Sequence, residues 1–80
     1  MKTDHLIEMA NQIGEFFDSL PDREEALTGI AEHIRKFWEP RMRRALLGAL
    51  DGSGTHDDAG FSEIVRAALV QHREALTPAA

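Results

Sequence analysis

Between positions 4 and 17 the apolar residues Leu6, Met9, Ala10, Ile13, Phe16 and Phe17 recur at three- and four-residue intervals, while Glu8, Glu15 and Asp18 take other positions. That period predicts an amphipathic helix with one stripe turned toward a core. Thr3 or Asp4 is suited to cap its first turn, and Asp18-Ser19-Leu20-Pro21-Asp22 is built of residues that favour a stop and a turn. Gly14 lies inside the periodic stretch. A mid-helix glycine costs about 1 kcal/mol relative to alanine, so it points either to tolerance or to close approach of another backbone.

A second helix is predicted to open with Asp22 as N-cap and Glu25 three residues later, a capping-box arrangement with Asp in place of Ser or Thr. Leu27, Ile30, Ala31, Ile34, Phe37 and Trp38 form its stripe. Glu24, Glu25 and Glu32 near its start, and Arg35 and Lys36 near its end, match the sign of the helix dipole. Proline donates no backbone hydrogen bond and biases the preceding residue out of the helical region, so Glu39-Pro40 marks the end of this helix and the first turn of the next. The third helix is expected from Pro40 to about Leu50, with Met42, Ala45, Leu46, Ala49 and Leu50 on one side.

The stretch 51–60 is small, polar and glycine-rich, and reads as a flexible loop. A last helix is expected from Phe61 or Ser62 to Leu76, its apolar side made by Phe61, Ile64, Val65, Ala68, Leu69 and Leu76, with a frayed tail over 77–80. The sequence carries neither strand-like alternation nor an internal repeat. The expectation is an all-α fold, a small bundle of three to four short helices, in one helical domain over residues 1–80.

At 80 residues the chain can bury only about 60 to 65% of the surface its unfolded form exposes, so its own core is marginal. The absence of cysteine rules out a disulfide, an iron–sulfur cluster held by this chain and a thiol nucleophile. Near the start, Met1-Lys2-Thr3-Asp4-His5 shows no charged region followed by an apolar run, and no apolar stretch approaches the roughly 18 to 20 residues needed to cross a bilayer. A cytoplasmic protein is expected.

The net charge of −5 argues against general nucleic-acid binding. The basic charge is nevertheless uneven. Five of the nine Lys and Arg fall between Arg35 and Arg44 (Arg35, Lys36, Arg41, Arg43, Arg44), and eight of the fourteen acids precede Arg35. Such polarity favours a partner with an acidic patch.

That basic cluster surrounds the segment Phe37-Trp38-Glu39-Pro40-Arg41-Met42-Arg43-Arg44, which holds the single Trp of the chain. Trp and Arg are the side chains most enriched at binding hot spots, one for its large amphipathic area and the other for its rigid fork of donors. Arginines at a helix N-terminus oppose the dipole by a few tenths of a kcal/mol each when exposed. Glu39 is placed to answer one of them, which leaves the others to be met from outside. The plainer alternative stays open: Phe37 and Trp38 close the core and the arginines are solvated. Asn11 and Gln12 lie off the Met9/Ile13 stripe and carry amides that donate and accept at once, so they either meet a partner or point to water.

Catalytic and metal chemistry find little support. The Asp57-Asp58 pair beside His56 lacks the alternating oxygen ligands and closing Glu of a calcium loop. His5, His33, His56 and His72 form no i, i+4 pair, so no metal site is expected. A nucleophile-elbow Ser, a Tyr and a glycine-rich loop between a strand and a helix are all missing. Glu32-His33 is the one acid–base pairing in view, and a helical His beside acids is usually a surface or packing residue.

The run Met9-Ala10-Asn11-Gln12-Ile13 followed by Phe16-Phe17, then His33, then Phe37-Trp38-Glu39-Pro40-Arg41-Met42-Arg43, resembles the delta subunit of NAD-dependent formate dehydrogenase over Met9 to about Leu50. The resemblance implies a non-catalytic accessory subunit of a cytoplasmic, multi-subunit molybdenum or tungsten formate dehydrogenase, one that associates with the catalytic subunit and supports assembly, stability or cofactor maturation. In that picture this chain binds no cofactor, and the partner complex carries the molybdopterin, the iron–sulfur clusters, FMN and NAD. The expected partner-binding residues are Asn11, Gln12, Phe37, Trp38, Glu39, Pro40, Arg41, Arg43 and Arg44, with Trp38 as apolar anchor, the arginines pairing with carboxylates or phosphates, and Glu39 and Pro40 setting the corner. Two other readings use the same residues: a small helical regulator that places its third helix in a nucleic-acid groove, and a self-associating helical dimer.

Overall fold

In the computed structural model, which describes residues 3–52 and 60–78, the polypeptide forms five helices: α1 (Thr3–Phe17), α2 (Arg23–Phe37), α3 (Pro40–Gly52), α4 (Glu63–Gln71) and α5 (Arg73–Leu76). No strand occurs among the described residues, and the fold is all-α as the periodicity predicts. The starts of α2 and α3 are dictated locally. The Asp22 carboxylate accepts a hydrogen bond from the Glu25 amide at 3.3 Å and caps α2. Pro40 opens α3, where its missing N–H costs nothing, and the Glu39 carbonyl accepts from the Arg43 amide at 3.1 Å.

Two boundaries differ from expectation. Asp51 and Gly52, assigned to a loop on composition, continue α3. Asp51 is held there by a two-point pair with Arg73, the guanidinium nitrogens donating to the two carboxylate oxygens at 2.8 and 2.6 Å. Of the rest of the predicted loop, Gly60 forms a turn and 53–59 lie outside the described residues, as do 79 and 80. The expected last helix is broken at His72 into α4 and the single turn α5. A straight continuation would carry Leu76 about 10 Å along the axis beyond Leu69. The break instead lets α5 fold onto α2 and buries Leu76. Thr77 closes α5, its amide and hydroxyl both donating to the Arg73 carbonyl.

The five helices share one core. α2 packs against α1, α4 and α5, and α1 also meets α3 and α4. The centre is made by Leu6, Ala10, Ile30, Ile34, Leu46, Val65, Leu69 and Leu76, all essentially without solvent contact. The predicted apolar side of the last helix is fully buried. On α1 the inward face is rotated from the predicted stripe: Leu6, Ile7, Ala10 and Gly14 are buried, Met9, Ile13 and Phe17 flank the core, and Phe16 is exposed. Gly14 explains the rotation. A Cβ on it would stand 2.6 Å from Val65 Cγ2 and 3.3 Å from Ile64 Cγ2, so α4 seats directly on the space a side chain would fill. The close approach is by side chains of α4 rather than by its backbone.

Ion pairs and a side-chain hydrogen bond tie the periphery. Arg23 donates to Glu63 at 2.5 Å and the Gln71 amide to Glu24 at 2.6 Å, joining α2 to α4, while Arg35 and Glu32 pair within α2. All of these are exposed, where solvent screening leaves such contacts little weight. Burial of the shared core stabilises the fold more than they do.

Candidate surface groove

Where α2 ends, Phe37 and Trp38 separate. The Trp38 amide still donates to the Ile34 carbonyl at 3.0 Å, yet its own backbone is extended (φ −97°, ψ 138°) ahead of Pro40. Leaving the helix there swings the indole over the core, and Trp38 is only 6% exposed. Phe37, placed on the core stripe by sequence, is 72% exposed and rests its ring on His33 one turn earlier, centroids 4.9 Å apart. Trp38 therefore does not project as an apolar anchor. The indole belongs to the core and Phe37 is the protruding ring.

Trp38 lines an open groove of about 470 Å³. α1 contributes Met9, Gln12, Ile13, Phe16 and Phe17 to it, and His33 of α2 completes the lining. Phe16 and Phe17 meet edge to face, centroids 5.1 Å apart, with Phe16 72% exposed at the lip. The Phe17 ring keeps its place because α2 has a glycine beneath it. A Cβ on Gly29 would stand 2.5 Å from Phe17 Cε1. The groove is thus a product of packing: α1 leans on α4 at Gly14 and on α2 at Gly29, and this leaves the outer edge of its apolar stripe uncovered.

The proposed binding residues do not form one surface. Gln12 is exposed and lines the groove with Trp38. Asn11, next to it in sequence, points to a different hollow lined by Asp4, Ile7, Glu8 and Gly60. Its amide nitrogen donates to the Gly60 carbonyl at 2.8 Å and its carbonyl accepts from the Ser62 amide at 3.0 Å. Asn11 is therefore engaged inside the molecule, fixing the entry to α4 where Gly60 takes a left-handed φ of 95°. Glu39, Pro40, Arg41 and Arg44 are exposed at the corner. Arg43 is half-buried, its Nε enclosed with no hydrogen-bond partner. None of Arg41, Arg43 and Arg44 pairs with a carboxylate among the described residues, Glu39 included.

Sequence reasoning put Phe16 and Phe17 on the core stripe and His33 at the surface or in packing, and did not foresee that the three line a groove. The available signal was the Phe16-Phe17 doublet: adjacent helical positions are turned about 100° from each other, so two bulky rings there cannot both reach one narrow core stripe. The described residues contain no group of three His, Cys, Asp or Glu placed to hold a metal, and no helix is long and apolar enough to cross a membrane.

Fold and groove together define a small all-α protein with an apolar concavity between α1 and the end of α2. The chain belongs to the NADH-dependent formate dehydrogenase delta subunit family, FdsD, whose profile it matches over residues 5–69. The match spans most of α1, all of α2 and α3, and most of α4. No curated protein and no solved structure matches the chain.

Proposed function

We propose that this chain is a non-catalytic accessory subunit of a formate dehydrogenase, docking on the catalytic subunit and supporting its assembly, stability or cofactor maturation. Its place in the FdsD family supports the complex as partner. The observation that carries the docking role is the open apolar groove with Phe16 exposed at its lip and Phe37 exposed one turn from His33, a large aromatic outlay for a chain with so little core to spare. In this reading the molybdopterin, iron–sulfur clusters, FMN and NAD all reside on other subunits, in the cytoplasm. This chain has no thiolate with which to hold a cluster.

Co-expression of the formate dehydrogenase subunits from the same source, with and without this chain, tests the proposal. The expected result is that the chain is recovered with the catalytic subunit, and that its omission lowers the yield of intact complex or its molybdenum or tungsten content. Equal yield and equal metal content without the chain, together with no recovery of the chain on the catalytic subunit, would reject it.

A further inference from the structure

Asp51-Gly52 is the single Asp-Gly step of the chain, and it falls at the end of α3. An aspartyl side chain ahead of glycine is prone to cyclise, because the glycine nitrogen can reach the carboxyl carbon and no Cβ obstructs the ring. The surroundings leave room for it. A Cβ on Gly52 would meet no atom within 4 Å, so no neighbouring element covers that side of the backbone. Asp51 and Gly52 are both exposed, open to the water that the chemistry exchanges.

Arg73 stands against this reaction. Its two guanidinium nitrogens donate to the two carboxylate oxygens at 2.8 and 2.6 Å, which fixes the plane of the carboxylate and holds it toward α5. Helical geometry adds a second restraint, since it directs the Gly52 N–H back toward the Gly48 carbonyl and away from the Asp51 side chain. The hydrogen bonds from Arg73 also lower the Asp51 carboxyl below its ordinary value and so favour the ionised group. A carboxylate is the poorer electrophile, because oxygen departs as water only from the neutral acid.

We infer that Asp51-Gly52 is a site of spontaneous isoaspartate formation that Arg73 holds closed, and that local opening of α5 releases it. The Gly52 nitrogen attacks Asp51 Cγ: the N–Cγ bond forms, a C–O bond breaks, the nitrogen gives up its proton, and one water leaves a succinimide behind. Water then adds to the Asp51 backbone carbonyl carbon and breaks its bond to the Gly52 nitrogen. The chain now runs through Cγ, and the former backbone carbon becomes the free carboxylate. Water is lost once and regained once, and nothing else is consumed.

The product cannot restore the clasp. Its main chain is longer by one carbon and its carboxylate is attached directly at Cα, out of register with Arg73. α5 is a single helical turn, the kind of unit that opens locally ahead of the whole fold, and this pair is its ion-pair tie to α3. Each opening therefore exposes Asp51 to a change that unfastens α5 from α3 for good.

The test holds the purified full chain near neutral pH at physiological temperature for several weeks. Isoaspartate is quantified by enzymatic methylation and located by electron-transfer fragmentation of the peptides. Folded wild type is expected to convert slowly at position 51 and the chain unfolded in guanidinium chloride much faster, with Gly52→Ala suppressing both. Arg73→Ala, with an unchanged circular dichroism spectrum, is expected to convert severalfold faster than folded wild type. Gln71→Ala, which removes a different exposed contact between helices, keeps the wild-type rate and so separates loss of the pair from general loosening. Should Arg73→Ala fail to fold, Arg73→Lys carries the comparison, because it keeps the charge, gives up the two-point fork and is likewise expected to convert faster than wild type. Folded Arg73 variants no faster than wild type, equal acceleration by Gln71→Ala, or no isoaspartate at position 51 even in the unfolded chain would each overturn the inference.

Discussion

Trp38 is 6% exposed and its neighbour Phe37 72%, so deleting an aromatic ring has different consequences at the two positions. Trp38→Ala removes a wall of the core and is expected to cost about 3 to 5 kcal/mol, whereas Phe37→Ala stays within about 0.5 kcal/mol. Urea unfolding of the two variants checks the contrast, and similar midpoints would show that the indole is not packed as described. Two glycines give a second contrast. At Gly14 an added Cβ collides with the buried Val65, and overpacking of about 1 to 3 kcal/mol outweighs the helix-propensity gain of up to about 1 kcal/mol. Gly48, inside α3, faces open space, so Gly48→Ala retains the gain of about 0.5 to 1 kcal/mol. Opposite shifts in thermal midpoint are expected from the same chemical change.

Between elements, the Asp51–Arg73 pair fastens the end of α3 to α5. The hydrogen bonds from Arg73, aided by its charge, hold the Asp51 carboxyl below its ordinary value of 3.8. Because the folded value is the lower one, the pair contributes stability that is complete above the ordinary carboxyl range and is lost as pH falls through the depressed value. Both groups are largely in water, so the effect is modest. Thermal midpoints of wild type and Asp51→Asn should differ by a constant amount from about pH 5 to 8 and converge below about pH 4. A gap that widened on acidification would contradict the pairing. α4 depends on a different fastening, the Asn11 amide, which serves both the carbonyl before it and the amide that starts it.

For the molecule as a whole, every helix contributes to one core, and Trp38 lies in it. Unfolding monitored at 222 nm, which reports the helices, and by emission of the single Trp, which reports the core, is expected to give coincident midpoints. An earlier fluorescence transition would mean that the corner around Trp38 loosens by itself. The charge distribution also belongs to this scale. Arg23 and Arg73 meet carboxylates 40 and 22 residues away in sequence, pairings invisible until the fold brings them together, whereas Arg35 meets Glu32 within its own helix.

Helix existence, the Asp22 cap, the Pro40 start and the buried face of α4 were legible from sequence because each is set by residues within one or two turns of one another. The family kinship was legible as well, since it resides in short runs such as Met9 to Ile13 and Phe37 to Arg43. What tertiary structure decided was which side of each helix the neighbours left uncovered. Periodicity defines a stripe without locating its centre, and the contact of Gly14 with α4 and of Gly29 with Phe17 rotated α1 until its outer aromatic edge became a groove. The fates of Phe37 and Trp38 turned on a single residue leaving helical geometry ahead of a proline, and the role of Asn11 on a partner 49 residues away. Such outcomes depend on contacts between segments remote in the chain, which only packing can bring together.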